Sequence, residues 1–198
     1  MLPDADATAR QRKPELMQSM MSKQKGRRRS NGATEHWERL GPVATGGSVF
    51  ALAVLAAPRC SHVWAGTSCG VFRHRGQGHW EQQLSGLTTP LISSLQVAPG
   101  GWLLAGGMNG QLLRSLNGGQ TWERATMVHA GDLAPATCIA CSPTFDRDGM
   151  ALAGSEGGGV WRTEDGGKRW LPANYGLTDL SVQALLYAPG PGEEEVVL

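Results

Sequence analysis

A tryptophan recurs along this chain at nearly constant distance, each time inside the same kind of segment. Trp80, Trp122 and Trp170 are spaced by 42 and 48 residues, in VWAGTSCGVFRHRGQGHWEQQ (63–83), LLAGGMNGQLLRSLNGGQTWER (103–124) and ALAGSEGGGVWRTEDGGKRWLP (151–172). Each stretch reads as an apolar strand ending in Ala-Gly, a Gly-containing turn, a second strand ending in Arg, a polar turn, and a Trp that opens a third strand. Trp37, 43 residues before Trp80 in SNGATEHWERL, reads as a decayed copy. Such a unit cannot bury its apolar face alone, so the repeat dictates stacking of one unit on the next.

Between the units lie FALAVLAAP (50–58), LISSLQVAPG (91–100), ATCIACSPTF (136–145) and SVQALLYAPG (181–190), whose continuous apolar character suits inner strands covered on both faces. Four strands per repeat of roughly 40 to 50 residues is the pattern of a β-propeller blade. The expected fold is therefore all-β, with about three complete four-stranded blades and partial terminal blades over residues 30–198. The 28 glycines and 11 prolines among 198 residues agree with many short strands and turns. The run VFALAVLAA (49–57) is too short to span a bilayer and begins too far into the chain for a leader, so it is assigned as the first inner strand.

The turns SLNGGQTW (115–122) and TEDGGKRW (163–170) pair an acid or amide with two glycines, as a tight chain reversal requires. They resemble the Asp-box, Ser/Thr-x-Asp-x-Gly-x-Thr-Trp, of BNR-repeat propellers, found in sialidases, xyloglucanases, sortilin-type receptors and photosystem II assembly factors. Thr163, Asp165, Gly167 and Trp170 match, with Arg169 in place of Thr. Ser115, Gly119, Thr121 and Trp122 match, with Asn117 in the Asp position. The copy at Trp80 has lost a residue and its acid, and the copy at Trp37 retains only Ser30 and the Trp. The resemblance implies that the boxes lie between the third and fourth strands of a blade and staple that hairpin, with the Trp packed between sheets. Arg73, Arg114 and Arg162 share one blade position and are read as structural, whereas the arginine triad of sialidases comes from non-equivalent places.

The chain's last residues, EVVL, fall just before the Ala-Gly that the repeat leads one to expect. A fragment, an incomplete blade shared by the terminal strands, and a ring completed by another chain all fit this pattern. An open end exposes strand edges and an apolar face, which predicts a protein partner or self-association.

Alternate connections in a blade share a face, and the ligand-bearing face collects Asn109, His129, Asp132, Glu156, Tyr175 and Asp179. The opposite face collects the Asp-box turns with Asp146 and Asp148. Asp132, Glu156 and Asp179 are the candidate catalytic carboxylates for glycoside hydrolysis, which needs a general acid and a base or nucleophile. Asn109, His129 and Tyr175 are ligand-face candidates. Carboxylates are common on soluble surfaces, and the preferred reading is a non-enzymatic binding or assembly scaffold, the alternative being a glycoside hydrolase of sialidase or xyloglucanase type that uses these loop carboxylates.

Residues 1–29 hold eight Lys/Arg and three Asp/Glu within a chain of net charge +1. The run SKQKGRRR is read as part of a solvated, disordered tail rather than a nucleic-acid site, because no aromatic residue interleaves it. Cys60, Cys69, Cys138 and Cys141 are read as small buried hydrophobes: Cys138 and Cys141, three apart in a strand, point to opposite faces and cannot converge on zinc. No metal or cofactor is expected, FDRDG (145–149) is expected to be a polar turn, and the cytoplasm is the default compartment.

Overall fold

In a computed structural model the chain divides into two units, Met1–Glu38 and Arg39–Leu198. The structure describes residues 47–56, 61–75, 79–128, 133–189 and 194–197, all in the second unit. The basic tail, Ser30, Trp37, Cys60, His129 and Asp132 lie outside the described residues.

Three antiparallel meanders follow one another. The first sheet orders β1 (Val49–Leu55), β2 (His62–Thr67), β3 (Gly70–His74) and β4 (Trp80–Gln83); the second orders β5 (Ile92–Val97), β6 (Leu103–Gly107), β7 (Leu112–Ser115) and β8 (Glu123–Arg124). The third contains β10 (Ala136–Cys141), β11 (Ala151–Ser155), β12 (Gly159–Thr163) and β13 (Arg169–Pro172), and β9 (Thr126–Met127) joins its outer edge parallel to β13. A final hairpin pairs β14 (Leu186–Pro189) with β15 (Glu194–Val197). The predicted inner strand at 181–190 is thus regular only from Leu186, although Ser181 already bridges Glu156.

The inner strands β1, β5 and β10 share a register, each with a bulge at its start, at Phe50, Ser93 and Thr137. In β5 and β10 the bulge turns a hydroxyl toward the following sheet. Ser93 Oγ donates to Ala136 O (2.6 Å), and the Thr137 hydroxyl donates to Val182 O. A glycine in each second strand makes room for the next inner strand: a Cβ at Gly66 would meet Ile92 Cγ2 at 2.7 Å, one at Gly154 would meet Val182 Cγ1 at 2.8 Å, and one at Gly106 would strike Ala136 Cβ. The conspicuous Ala-Gly of the repeat is therefore a seat for the neighbouring sheet.

Apolar clusters fill the spaces between sheets. Trp64, Val71 and Ala53 meet Ile92, Leu95, Leu113 and Trp122 between the first and second sheets. Leu104 and Leu112 meet Ile139, Trp161 and Trp170 between the second and third. Ala140, Leu152 and Val160 meet Val182 and Tyr187 beyond the third. Cys138 and Cys141 lie in different clusters, on opposite faces of β10 as the strand period requires.

Three expectations change. The inner strand β1 is not covered on both faces, since Val49, Phe50, Leu52 and Val54 are exposed. FDRDG forms a one-turn helix, α1 (Phe145–Asp148), rather than a plain turn, because Phe145 buries its ring edge-on against Trp102 while Gly149 takes a left-handed conformation to end it. Cys69 is a half-buried residue of the β2–β3 turn and not part of the core. Burial, then the nearby Asp148 charge, push the Cys141 thiol up to about 12, which makes it a poor nucleophile or ligand.

Candidate binding face

On one face of the sheets, each loop that leads to the next inner strand crosses the β-turn of the sheet it leaves or enters. Met108 N–H donates to Leu91 O (3.1 Å), Glu156 N–H to Pro135 O (3.0 Å), and the N–H groups of Gly157 and Gly159 to Leu180 O (3.1 and 2.8 Å). Asn174, which the sequence reading passed over, locks one crossing: its Oδ1 accepts from Val160 N (2.7 Å) and its Nδ2 donates to Gly158 O (3.4 Å). An Asn after the Trp-bearing strand was the available signal.

Two of the candidates on this face, Asn109 and Asp179, stiffen their own loops. Asn109 Oδ1 accepts from Gln111 N (3.2 Å) and Asp179 Oδ1 from Ser181 N (2.8 Å), both side-chain turns that hold their own backbone. The Glu156–Ser181 bridge places Glu156 and Asp179 at one loop crossing, where both are exposed. Tyr175 is wholly exposed, at 105% of its reference area. The same set of loops and turns exposes Leu84, Leu91, Met108 and Leu180.

The opposite face carries the two NGG and DGG turns, and the structure brings Asp146, Asp148 and Asp165 together around a cavity of about 230 Å³ with Trp102, Arg147 and Glu164. The carboxylates of Asp148 and Asp165 hold local structure. Asp148 Oδ2 accepts from Ser142 (2.6 Å) and Thr144 (2.8 Å), and its Oδ1 from Met150 N (2.7 Å). Desolvation opposes ionisation of Asp148, but those hydrogen bonds outweigh it and hold its carboxyl below the usual range. Among the described residues no group of three or more His, Cys, Asp or Glu is placed to hold a metal ion, and no helix is long and apolar enough to cross a membrane.

Both turns close in the same way. The Ser115 hydroxyl accepts from Gly119 N (2.9 Å) and donates to Asn117 Oδ1 (2.9 Å), while Thr163 accepts from Gly167 N (3.0 Å) and donates to Asp165 Oδ1 (3.0 Å). The paired glycines sit at φ of 66° and 88° (Gly118, Gly119) and 71° and 82° (Gly166, Gly167), values that a side chain disfavours. Each turn also docks on the sheet before it. Trp64 Nε1 donates to Gly118 O (3.0 Å), and Arg114 Nη1 donates to Gly166 O (3.3 Å).

The three repeated arginines do not converge. Arg73 lies over the Trp64 ring at 5.5 Å, Arg114 is buried and pairs with Glu123 (2.7 Å), and Arg162 pairs with Glu164 on the surface. No anion pocket of three guanidinium groups is formed by them.

These stacked four-stranded meanders with inner strands side by side define a β-propeller. No family model matches the chain, and no curated protein matches its sequence. Solved structures do. The computationally designed Ika4 protein superposes with a TM-score of 0.56 at 15% identity, over 82% of this chain and 98% of its own. YCF48 bound to D1 peptide gives 0.52 at 16% identity, over 77% of this chain and 48% of its own. An ancestral GH74 enzyme gives 0.51 at 19% identity, over 63% of this chain and 18% of its own. The chain thus spans under half of the latter two proteins, and the likeness at these identities is one of fold.

Proposed function

We propose that the protein is a non-enzymatic propeller of the BNR type, a photosystem II assembly factor-like binding scaffold that recognises a polypeptide through its loop face. The observation that carries this reading is the division of labour there: Asn109, Asn174 and Asp179 hold loop backbone, while Tyr175, Leu180, Leu91, Met108 and Leu84 stand in solvent. Apolar and aromatic groups on rigid loops are what a protein partner needs, since they lose little freedom on binding. YCF48, a propeller recorded with a bound peptide, supports the class by analogy of fold. The Asp-box assignment is supported by the matched hydroxyl, acid or amide, glycine and Trp geometry at 115–122 and 163–170.

Selection of a displayed peptide library on the full chain tests this. Peptides are expected to enrich on the wild type and to lose at least about tenfold in affinity on a Tyr175→Ser, Leu180→Ser variant of unchanged circular dichroism. Equal binding to both overturns the reading. So does turnover of xyloglucan or a sialoside that Glu156→Gln or Asp179→Asn abolishes.

A further inference from the structure

Every inner strand has three positions that face the preceding sheet. Register equates Ile92, Leu95 and Val97 of β5 with Ala136, Ile139 and Cys141 of β10, and Val182, Leu185 and Tyr187 repeat the spacing before and within β14. These side chains pack into the successive clusters between sheets. In β1 the same positions hold Val49, Leu52 and Val54, which are 46%, 64% and 57% exposed, whereas Ile92 is at 0%. The first sheet therefore presents the apolar half of a sheet-to-sheet contact.

The other half is open too. The positions of β1 that face the next sheet are small or slender, Ala51, Ala53 and Leu55, and they pack against β5. Their counterparts at the far end are Ala184 and Leu186, both exposed, Leu186 at 66%. Gln183 stands where Ser93 and Thr137 send a hydroxyl to the neighbouring carbonyl; its amide, now on Ser181 Oγ at 3.3 Å, is exposed and carries the same kind of donor.

We propose that a second copy of this chain covers β1, head to tail: the β14 edge of one copy, with Ala184 and Leu186, stacks on Val49, Leu52 and Val54 of the next, and Gln183 donates across to the Val49 carbonyl. The occupant is a copy of the chain because the contact is one that it builds three times internally, and the described residues expose both halves of it. Such a contact is heterologous, so it closes into a ring or propagates according to the rotation between copies. It is independent of what the loop face binds.

Leu52→Glu blocks the head and Leu186→Glu blocks the tail, and neither side chain is buried within one chain. Solution mass of the full chain, by sedimentation or light scattering over a concentration series, is expected to rise above the monomer for the wild type. Each variant alone is expected to remain monomeric at concentrations where the wild type associates, and their equimolar mixture to form a 1:1 dimer and nothing larger, through the one tail and one head left intact. Three results overturn the proposal: a wild-type chain that is monomeric throughout, as when residues 1–46 or a foreign protein cover β1; a mixture that fails to dimerise; or loss of association in Leu52→Glu with none in Leu186→Glu, which marks a head-to-head contact.

Discussion

The turns at 115–122 and 163–170 solve one geometric problem with different chemistry. In the first, Asn117 is neutral: Oδ1 accepts from Thr121 N (2.9 Å) while Nδ2 donates to Thr121 Oγ1 (2.8 Å). In the second, Asp165 is an anion that accepts from Lys168 N (3.0 Å) and Arg169 N (2.9 Å) and forms an ion pair with Arg169 Nε (3.1 Å). The Asn-to-Asp and Thr-to-Arg differences between the turns thus fall on two positions that bond to each other in both. Their tryptophans differ as well: Trp170 Nε1 donates to Gly167 O (3.2 Å), whereas buried Trp122 Nε1 has no partner among the described residues.

The largest effect expected from breaking the comparison is on the rings. Trp170→Ala and Trp122→Ala should each destabilise by about 3 to 5 kcal/mol in denaturant melts, because both rings fill space between sheets. Arg114→Met comes next, at about 1 to 3 kcal/mol, since it keeps the buried stem but removes the donor to Gly166 O and the partner of Glu123. Trp170→Phe should then cost about 1 kcal/mol more than Trp122→Phe, as only Trp170 surrenders a hydrogen bond. Equal costs would remove that difference between the turns.

The smallest effect separates the turns by pH. Desolvation pushes the Asp165 carboxyl up, but the hydrogen bonds from Arg169, Thr163 and Lys168 outweigh it and leave its pKa below the usual value. A depressed folded-state value means stabilisation that is present above the ordinary carboxylate range and lost as pH falls through the folded value. Asp165→Asn should flatten part of the acid limb of stability against pH, while Asn117→Ala, with no titrating group, should shift the curve without changing its slope. Melts from pH 7 down to about 2 distinguish the two, and parallel curves for wild type and Asp165→Asn would refute the ionic account.

The strands and their grouping were legible because period, Gly placement and Trp spacing are local properties of the chain. The hydrogen bonds that Ser115, Asn117, Thr163 and Asp165 make each span only a few residues, so they too depend on local sequence. The docking of the turns on the preceding sheet was not, because the acceptors are the carbonyls of Gly118 and Gly166, which every residue possesses. The repeated Arg marked one donor, Arg114, yet in the first sheet Trp64 takes that place and Arg73 stacks on its ring. The parallel strand β9 and the helix α1 were missed since both depend on neighbours distant in sequence, and α1 on a cavity edge that Phe145 fills. On the loop face, the sequence located Asn109 and Asp179 but not their service to their own turns.

The bonds from Trp64 to Gly118 and from Arg114 to Gly166 join residues 54 and 52 positions apart. Each is a cross-tie between a strand of one sheet, the second strand for Trp64 and the third for Arg114, and a reversal that exists only after the next sheet has been threaded through all of its hairpins. A sheet therefore reaches full mechanical strength late, when its successor is in place, and tension along the chain is shared through the ties before any single meander opens.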